Sequence, residues 1–259
     1  MSACAELVAA DRKMSSPCTT YGEMESRRHA VGHCNKIFSD LDVQDRIAWS
    51  LENLPGQHVV TSSFGAQAAV SLHLLTRHMP EIPVVLIDTG YLFPETYRFV
   101  DHLTERLQLN LHVYQATVSP AWQEARDGQR WTQGETGLAL YNSQVKVEPM
   151  KRAIRELKAG TWFAGLRRTQ SQGRESTPFL EWSNDRWKVH PIADWTDRDV
   201  HMYLKKHDLP YHPLREQGYL SIGDHHTTRS IHEVSDTEQL RFFGIKRECG
   251  LHEIDMASV

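Results

Sequence analysis

The sequence predicts an α/β fold: a doubly wound, mostly parallel sheet with a loop-rich C-terminal tail. Segments of helical periodicity alternate with short apolar stretches at residues 58–62, 83–88, 109–115 and 161–165. The stretch at residues 83–88 is apolar up to its last residue, which is typical of a strand buried on both faces of a sheet. This β-α-β-α-β order favours parallel strands joined by right-handed crossovers.

The composition supports one large α/β domain. The chain has 259 residues, of which 40% are hydrophobic, and its formal net charge is −4. It has neither a basic excess nor a long apolar run, so we expect no nucleic-acid binding and no membrane span. The N-terminus lacks the charged-then-apolar order of a secretory signal, and the cysteines include no Cys-x-x-Cys pair. We therefore expect a reducing, cytoplasmic setting.

The N-terminal part is expected to lack regular structure. Residues 1–35 show no steady periodicity, which predicts a flexible leader. Three of the four cysteines fall in this leader and are poor catalytic candidates: Cys4, Cys18 and Cys34. Residues 40–54 then place apolar side chains at helical spacing. The apolar face of this predicted helix favours a homodimer.

The later elements follow from periodicity and from flanking proline and glycine residues. Residues 119–141 indicate irregular structure or short helices, and residues 179–182 and 187–192 suit a hairpin. From residue 210 onward the chain is rich in loops. Further helices are predicted at residues 68–79, 94–108, 146–158 and 197–207.

Small and polar residues follow the first predicted strand. Ser62, Ser63 and Gly65 stand where the backbone turns into a helix, and the N–H groups at a helix start can hold an anion. Asp88-Thr89-Gly90 and Gly165-Leu166-Arg167-Arg168 follow two other strands. Ligands of doubly wound sheets collect at this edge, so the three loops together predict a binding site. The alternative is that the Ser-Ser-x-Gly stretch is only a tight turn.

A set of cations indicates an anionic ligand. Arg167, Arg168 and Arg174 lie in one loop, and Lys146 precedes it. Arginine suits bidentate binding of phosphate or sulfate, so this cluster in an acidic chain favours a small, multiply anionic ligand. Arg229 is a further candidate. The alternative is a solvated surface in which nearby carboxylates are the partners.

Cys249 stands in a polar, locally basic stretch, Lys246-Arg247-Glu248-Cys249-Gly250-Leu251-His252. Nearby cations favour the thiolate, which is the nucleophilic form, whereas Glu248 opposes this effect. From this segment alone, both a reactive thiol and an incidental exposed cysteine remain open. The adjacent His225 and His226 do not indicate a metal site, because neighbouring residues rarely face the same ion.

Together these stretches resemble the phosphoadenylyl-sulfate (PAPS) reductases, the enzymes of assimilatory sulfate reduction. The resemblance runs from about residue 40 to the end of the chain and keeps six motifs in order. They are Ser62-Ser63-Phe64-Gly65-Ala66-Gln67, Ile87-Asp88-Thr89-Gly90-Tyr91-Leu92-Phe93-Pro94-Glu95-Thr96, Lys146-Val147-Glu148-Pro149-Met150, Gly165-Leu166-Arg167-Arg168-Thr169-Gln170-Ser171, Ser221-Ile222-Gly223-Asp224 and Glu248-Cys249-Gly250-Leu251-His252.

The resemblance implies an adenine-nucleotide α-hydrolase-like fold with a modified phosphate loop of the PP-loop type. It also implies reduction of 3'-phosphoadenylyl sulfate to sulfite and adenosine 3',5'-bisphosphate, with thioredoxin or glutaredoxin as electron donor. Cys249 is then the nucleophile and passes through an S-sulfocysteine. The candidate substrate contacts, taken from the loops above and from the motifs, are Ser62, Ser63, Phe64, Gly65, Gln67, Asp88, Thr89, Gly90, Lys146, Arg167, Arg168, Arg174, Arg229 and His252.

This function suggests a division of the chain into three parts. Residues 1–35 form the leader, residues 36–209 an α/β nucleotide-binding domain, and residues 210–259 a mobile segment that carries the catalytic cysteine. The mobility is expected from the glycine-rich and loop-rich character of that segment.

The residues also bear on cofactors and rival functions. Adenylyl-sulfate (APS) reductases bind a [4Fe–4S] cluster through a Cys-Cys pair and a Cys-x-x-Cys. The corresponding stretches here, residues 133–138 and 223–227, contain no cysteine, so we expect no cluster and no metal. A cluster-free APS reductase, an ATP pyrophosphatase-type adenylating enzyme and a non-catalytic nucleotide-binding redox module are the alternatives. The first loop lacks the second glycine and the acidic residue of the pyrophosphatase Ser-Gly-Gly-x-Asp-Ser loop. This disfavours the ATP pyrophosphatase-type enzyme.

Overall fold

The structure, a computed structural model, describes residues 21–183 and 186–244. In this part of the chain one six-stranded sheet has the order β3-β2-β1-β4-β6-β5, in which only the β5–β6 pair is antiparallel. The mostly parallel sheet and the predicted hairpin are thus confirmed. The strands are β1 (Gln57–Thr61), β2 (Pro83–Ile87), β3 (Asn110–Tyr114), β4 (Ala159–Ala164), β5 (Leu180–Ser183) and β6 (Arg186–Val189).

Helices cover both faces of this sheet. Prolines at the first turns and the capping side chains of Asp42 and Thr196 define several helix starts. The predicted helix at residues 40–54 starts only after the Asp42 cap, and the one at residues 146–158 starts after a π-helical turn, Ser143–Val147. The helices are α1 (Tyr21–Asp40), α2 (Val43–Asn53), α3 (Ala68–His78), α4 (Pro94–Leu107), α5 (Pro120–Asp127), α6 (Gly134–Asn142), α7 (Glu148–Glu156) and α8 (Asp197–Lys206).

The two sheet faces carry separate apolar clusters. On one face, Val60 and Leu86 pack in the cluster that also holds Leu72 of α3 and Leu103 of α4. On the other face, strand residues such as Val59, Val85 and Trp162 pack with Met150 and Ile154 of α7. Burial on both faces explains why β2 reads as an apolar run in the sequence.

The strand order reverses next to β1. The chain moves outward from β1 through β2 to β3, and then returns to place β4 on the opposite side of β1. The loops that follow β1 and β4 therefore diverge at their carboxyl ends and leave a crevice there. This crevice is the predicted place for a ligand.

The N-terminal helix corrects one expectation. Residues 21–35 belong to α1 rather than to a flexible leader, because Ala30, Cys34 and Phe38 recur every four residues and are buried. On α2, Ile47 is fully buried in the chain's own core. The face that favoured a homodimer is thus covered, and the homodimer prediction loses this support.

The described part of the C-terminal segment packs onto the rest of the chain. Leu214 and Ile222 contact Ala66 beside the first loop, and Phe242 packs with Trp131. The division into three parts, and the mobility of the last, stay predictions. None of the helices within residues 21–183 and 186–244 combines the length and apolar character that a membrane crossing requires.

Candidate active site

A cleft of about 510 Å³ lies at the carboxyl ends of the central strands. It brings together residues that follow three different strands, as the sequence predicts: Ser62, Ser63, Gly65 and Gln67 after β1, Thr89 after β2, and Arg167 after β4. Lys146 and Arg174 also line it. The shared edge is confirmed, whereas the contacts of these residues with a ligand stay predictions.

The first loop is held in a strained turn. Phe64 has φ = 48°, in the left-handed region that bulky residues rarely adopt. Its N–H donates to Ser62 Oγ at 3.1 Å, and its ring is fully buried and absent from the cleft lining. Phe64 therefore anchors the loop, while Ser63 and Gly65 face the cleft.

The Asp88 carboxylate stabilises the second loop through hydrogen bonds. One oxygen, Oδ1, accepts hydrogen bonds from the Gly90 N–H at 2.8 Å and from the Tyr97 hydroxyl at 2.7 Å. The other accepts from Gln115 Nε2 at 2.6 Å. Gly90 has φ = 77°, which favours glycine. Neither Asp88 nor Gly90 lines the cleft, so both support the turn that presents Thr89.

Arg167 is buried and already partnered. Its Nη2 donates to Gln67 Oε1 at 2.5 Å and to Asp197 Oδ1 at 2.8 Å. Burial opposes the ionisation of Asp197, but hydrogen bonds from Arg167 and Gln67 outweigh it and hold the pKa of that carboxyl below its usual range. This network fixes the third loop and α8 to the first loop.

Of the other predicted arginines, one lines the cleft and two do not. Arg174 lines the cleft and donates to Gln170 Oε1 at 2.5 Å. Arg168 does not line it: its Nε donates to the Thr177 carbonyl, and its guanidinium lies 4.7 Å from the centre of the Phe179 ring. Arg229 also lies outside the lining and donates to the Thr228 carbonyl at 2.9 Å.

A buried ion pair forms part of the cleft lining. The Lys146 ammonium lies 2.5 Å from Asp224 Oδ2, and the two side chains are 7% and 1% exposed. Thr89 and Tyr141 donate hydroxyl hydrogen bonds to the same carboxylate, at 2.6 Å and 3.0 Å. Burial alone would raise the pKa of Asp224, but the Lys146 charge and the bonds from Lys146 and Thr89 lower it to about 2. The carboxylate is therefore ionised at neutral pH.

Arg241 is a cleft residue that sequence reasoning missed. Its Nη1 donates to Ser221 Oγ at 3.4 Å, and its Nε is buried without a hydrogen-bond partner. Gly223 makes room for it, since a Cβ there would lie 2.2 Å from Arg241 Nη2. The available signal was a single cation in the apolar stretch Leu240-Arg241-Phe242-Phe243. Asp224 was missed as well, although its motif was noted.

Two predicted residues lie outside the described part of the chain. They are Cys249 and His252, and their placement stays a prediction. His226 packs its ring 3.8 Å from the Trp131 ring centre, and burial lowers its pKa to about 4. Within the described residues, no group of three or more His, Cys, Asp or Glu side chains is arranged to hold a metal ion.

Comparison with known proteins decides the family. The sequence model described as "Phosphoadenosine phosphosulfate reductase domain" matches residues 57–230, more than half of the chain. The chain belongs to the phosphoadenosine phosphosulfate reductase family. A curated member from Alteromonas mediterranea is 57% identical over 230 residues, which are 89% of this chain and 93% of the relative. A member from Xanthomonas campestris pv. campestris, strain B100, is 61% identical over 219 residues, which are 85% of this chain and 91% of the relative.

Solved structures agree with this membership. The phosphoadenylyl-sulfate reductase of Candida auris, in complex with phosphate, is 30% identical with a TM-score of 0.68. The match covers 78% of this chain and 97% of that one. The FMN adenylyltransferase of Candida glabrata shares the fold alone, with 14% identity, a TM-score of 0.54, and coverage of 91% and 74%.

Membership of the phosphoadenosine phosphosulfate reductase family makes the chain an oxidoreductase. The adenine-nucleotide α-hydrolase-like fold expected from the motifs is confirmed. The range that matches the family model includes the three strand-end loops and Lys146, but it ends before Arg241 and Cys249. Arg241 lines the cleft, and Cys249 belongs to the last of the six motifs.

Proposed function

We propose that the chain reduces 3'-phosphoadenylyl sulfate to sulfite and adenosine 3',5'-bisphosphate in assimilatory sulfate reduction. Cys249 is the nucleophile, and thioredoxin or glutaredoxin is the electron donor. The supporting observation is a cleft lined by five cationic side chains at a strand-end crevice, in a chain with a net charge of −4. The cationic groups of the lining are Lys146, Arg167, Arg174, Arg215 and Arg241.

These cations suit the charges of the proposed substrate. It carries a phosphosulfate and a second phosphate, and arginine binds such groups through paired hydrogen bonds. Arg167 is committed to Asp197 and Gln67, so we assign it to holding the loops. Arg241 and Lys146 are then the stronger candidates for direct contacts. The Arg241 guanidinium lines the cleft and makes a long hydrogen bond of 3.4 Å to Ser221 Oγ. The Lys146 ammonium has three hydrogens, and the bond to Asp224 Oδ2 uses one of them.

The first step transfers the sulfonate group to the protein. The Cys249 thiolate attacks the sulfonate sulfur and forms an S–S bond, while the bond from sulfur to the phosphate oxygen breaks. The leaving adenosine 3',5'-bisphosphate takes that electron pair, and nearby cations stabilise its charge. The product on the protein is Cys249 S-sulfocysteine.

The second step needs a dithiol from outside. A thiolate of the donor attacks Cys249 Sγ, and sulfite leaves with the electron pair of the S–S bond. The second donor thiol then attacks the mixed disulfide, which restores the Cys249 thiolate and leaves the donor oxidised by two electrons. Such a donor works in a reducing compartment, so we place the reaction in the cytoplasm.

The intermediate can be observed directly. Protein mixed with 3'-phosphoadenylyl sulfate without reductant is expected to gain the mass of one SO₃, located on Cys249 by peptide mapping. Reduced thioredoxin should remove this mass and release sulfite in equal amount. Turnover with thioredoxin but without any adduct would contradict the two-step route, and absence of both would contradict the proposed function. The same experiment with adenylyl sulfate tests the need for the 3'-phosphate.

Gly223→Ala is expected to weaken substrate binding through Arg241. The new Cβ would overlap the guanidinium, whose flexible side chain has to move away from its position in the cleft. We expect KM for 3'-phosphoadenylyl sulfate to rise about tenfold, the cost of one arginine–anion contact of about 1.4 kcal/mol. Steady-state kinetics measure KM. Thermal unfolding measures Tm, which should change little.

Gly173→Ala is the matched control. It lies beside Arg174, but an added Cβ would find no heavy atom within 4 Å. Its KM should stay at the wild-type value. An unchanged KM in Gly223→Ala, or an equal rise in KM in Gly173→Ala, would show that substrate binding does not depend on the room that Gly223 leaves for the Arg241 guanidinium.

A further inference from the structure

We propose that Asp224 is a positioning residue: its carboxylate holds the Lys146 ammonium in the cleft wall and acts on the substrate through Lys146. The inference rests on the proposed function and deepens it. Lys146 is nearly buried and lines the cleft, so its ammonium reaches a ligand only in a narrow range of positions. The Asp224 carboxylate fixes the position of the ammonium.

One ion pair and two aromatic rings fix the ammonium. Asp224 Oδ2 lies 2.5 Å from Nζ on one side. The ring centres of Tyr141 and Phe242 lie 5.3 Å and 4.9 Å from Nζ, within range of cation–π attraction. A lysine side chain is otherwise flexible, and this enclosure removes its freedom before a ligand arrives.

The backbone is built for this arrangement. Tyr141 lies in the last turn of α6, and Lys146 follows five residues later in the π-helical turn Ser143–Val147. In a regular α-helix, residues five apart point to different faces, whereas the i→i+5 bonding of a π turn brings them to one side. Both side chains thus reach the same carboxylate. Asp224 itself is held by a backbone pairing with Leu92.

The hydroxyl donors keep the carboxylate in place. Burial and the Asp224 charge raise the pKa of Tyr141, so it remains a protonated donor at neutral pH. Thr89 donates to the other oxygen and comes from the loop that follows β2. The carboxylate is therefore anchored by two separate segments and has one oxygen directed at Lys146. A residue can orient a neighbouring charged group only when hydrogen bonds hold that residue in place, as they hold Asp224.

A double-mutant cycle tests the inference. Asp224→Asn keeps the shape but removes the charge, and kcat/KM with thioredoxin is expected to fall about 10- to 100-fold. Lys146→Met is expected to cause a similar loss. The double variant should be no worse than Lys146→Met alone, because Asp224 acts through the lysine. Multiplied losses in the double variant, or wild-type kinetics in Asp224→Asn, would overturn the inference.

Two further variants separate positioning from folding. Tyr141→Phe removes one donor to the carboxylate and should lower kcat/KM less than Asp224→Asn, with no added loss in the Lys146→Met background. An equal loss in both backgrounds would overturn the inference even if Asp224→Asn failed to fold. Glu181→Gln removes the carboxylate beside Lys188, a second buried lysine outside the cleft lining, and should keep kcat/KM. A wild-type chain that releases no sulfite would contradict the proposed function instead.

Discussion

Replacement of Cys249 by serine is expected to abolish sulfite release, with a loss in kcat of about 10⁴-fold or more. Serine is almost wholly protonated at neutral pH, whereas even an ordinary cysteine is about a few per cent thiolate, and the thiolate is a much stronger nucleophile than a hydroxyl group. The variant should also gain no SO₃ mass when mixed with 3'-phosphoadenylyl sulfate. Sulfite release and intact mass measured on the same preparation check both outcomes.

Binding distinguishes this loss from misfolding. The Cys249→Ser variant should bind adenosine 3',5'-bisphosphate as tightly as the wild type, because the change leaves the cationic lining of the proposed nucleotide cleft in place. Calorimetric titration measures this. Substantial sulfite release by Cys249→Ser would remove Cys249 from its proposed role.

Lys146→Met is expected to destabilise the chain by about 3–5 kcal/mol at neutral pH, because it leaves the Asp224 carboxylate buried without its cation. The size of this loss should depend on pH. In the wild type the pKa of Asp224 is lowered to about 2, below its ordinary 3.8. Its ionised form therefore stabilises the fold by about 2 kcal/mol above pH 4, and this contribution disappears as the pH falls towards 2.

The variant should show the opposite slope. Without Lys146, burial dominates and raises the pKa of Asp224 above its value in the unfolded chain. The folded state then binds the proton more tightly, so the free energy of unfolding falls as the pH rises above about 4. Urea unfolding between pH 4 and pH 7 measures this slope.

The double variant Lys146→Met/Asp224→Asn serves as the control. It has no charge in the pair, so its stability should not decline with pH in this range and should exceed that of Lys146→Met at pH 7. A Lys146→Met variant whose stability tracks the wild type at every pH would show that the pair is not coupled as the structure indicates.

Much of the architecture could be predicted because it depends on local pattern. The apolar run that became β2 and the Ser62 loop that leads into α3 are short-range signals, and parallel strands with crossovers follow from their order. Residues 21–35 were mispredicted because the apolar positions of α1 are sparse among polar residues, and only packing against the core makes them helical.

The sequence by itself determined the sheet, the edge at which we propose that the substrate binds, and the family motifs that include Cys249. The tertiary structure decided which charged groups face the cleft. Arg168 and Arg229 turn to backbone carbonyls, while Arg241 enters from a segment far along the chain. The Lys146–Asp224 pair also joins distant segments, and its burial sets its energetics. Charge–charge contacts depend on distance and desolvation, which residue order does not encode locally.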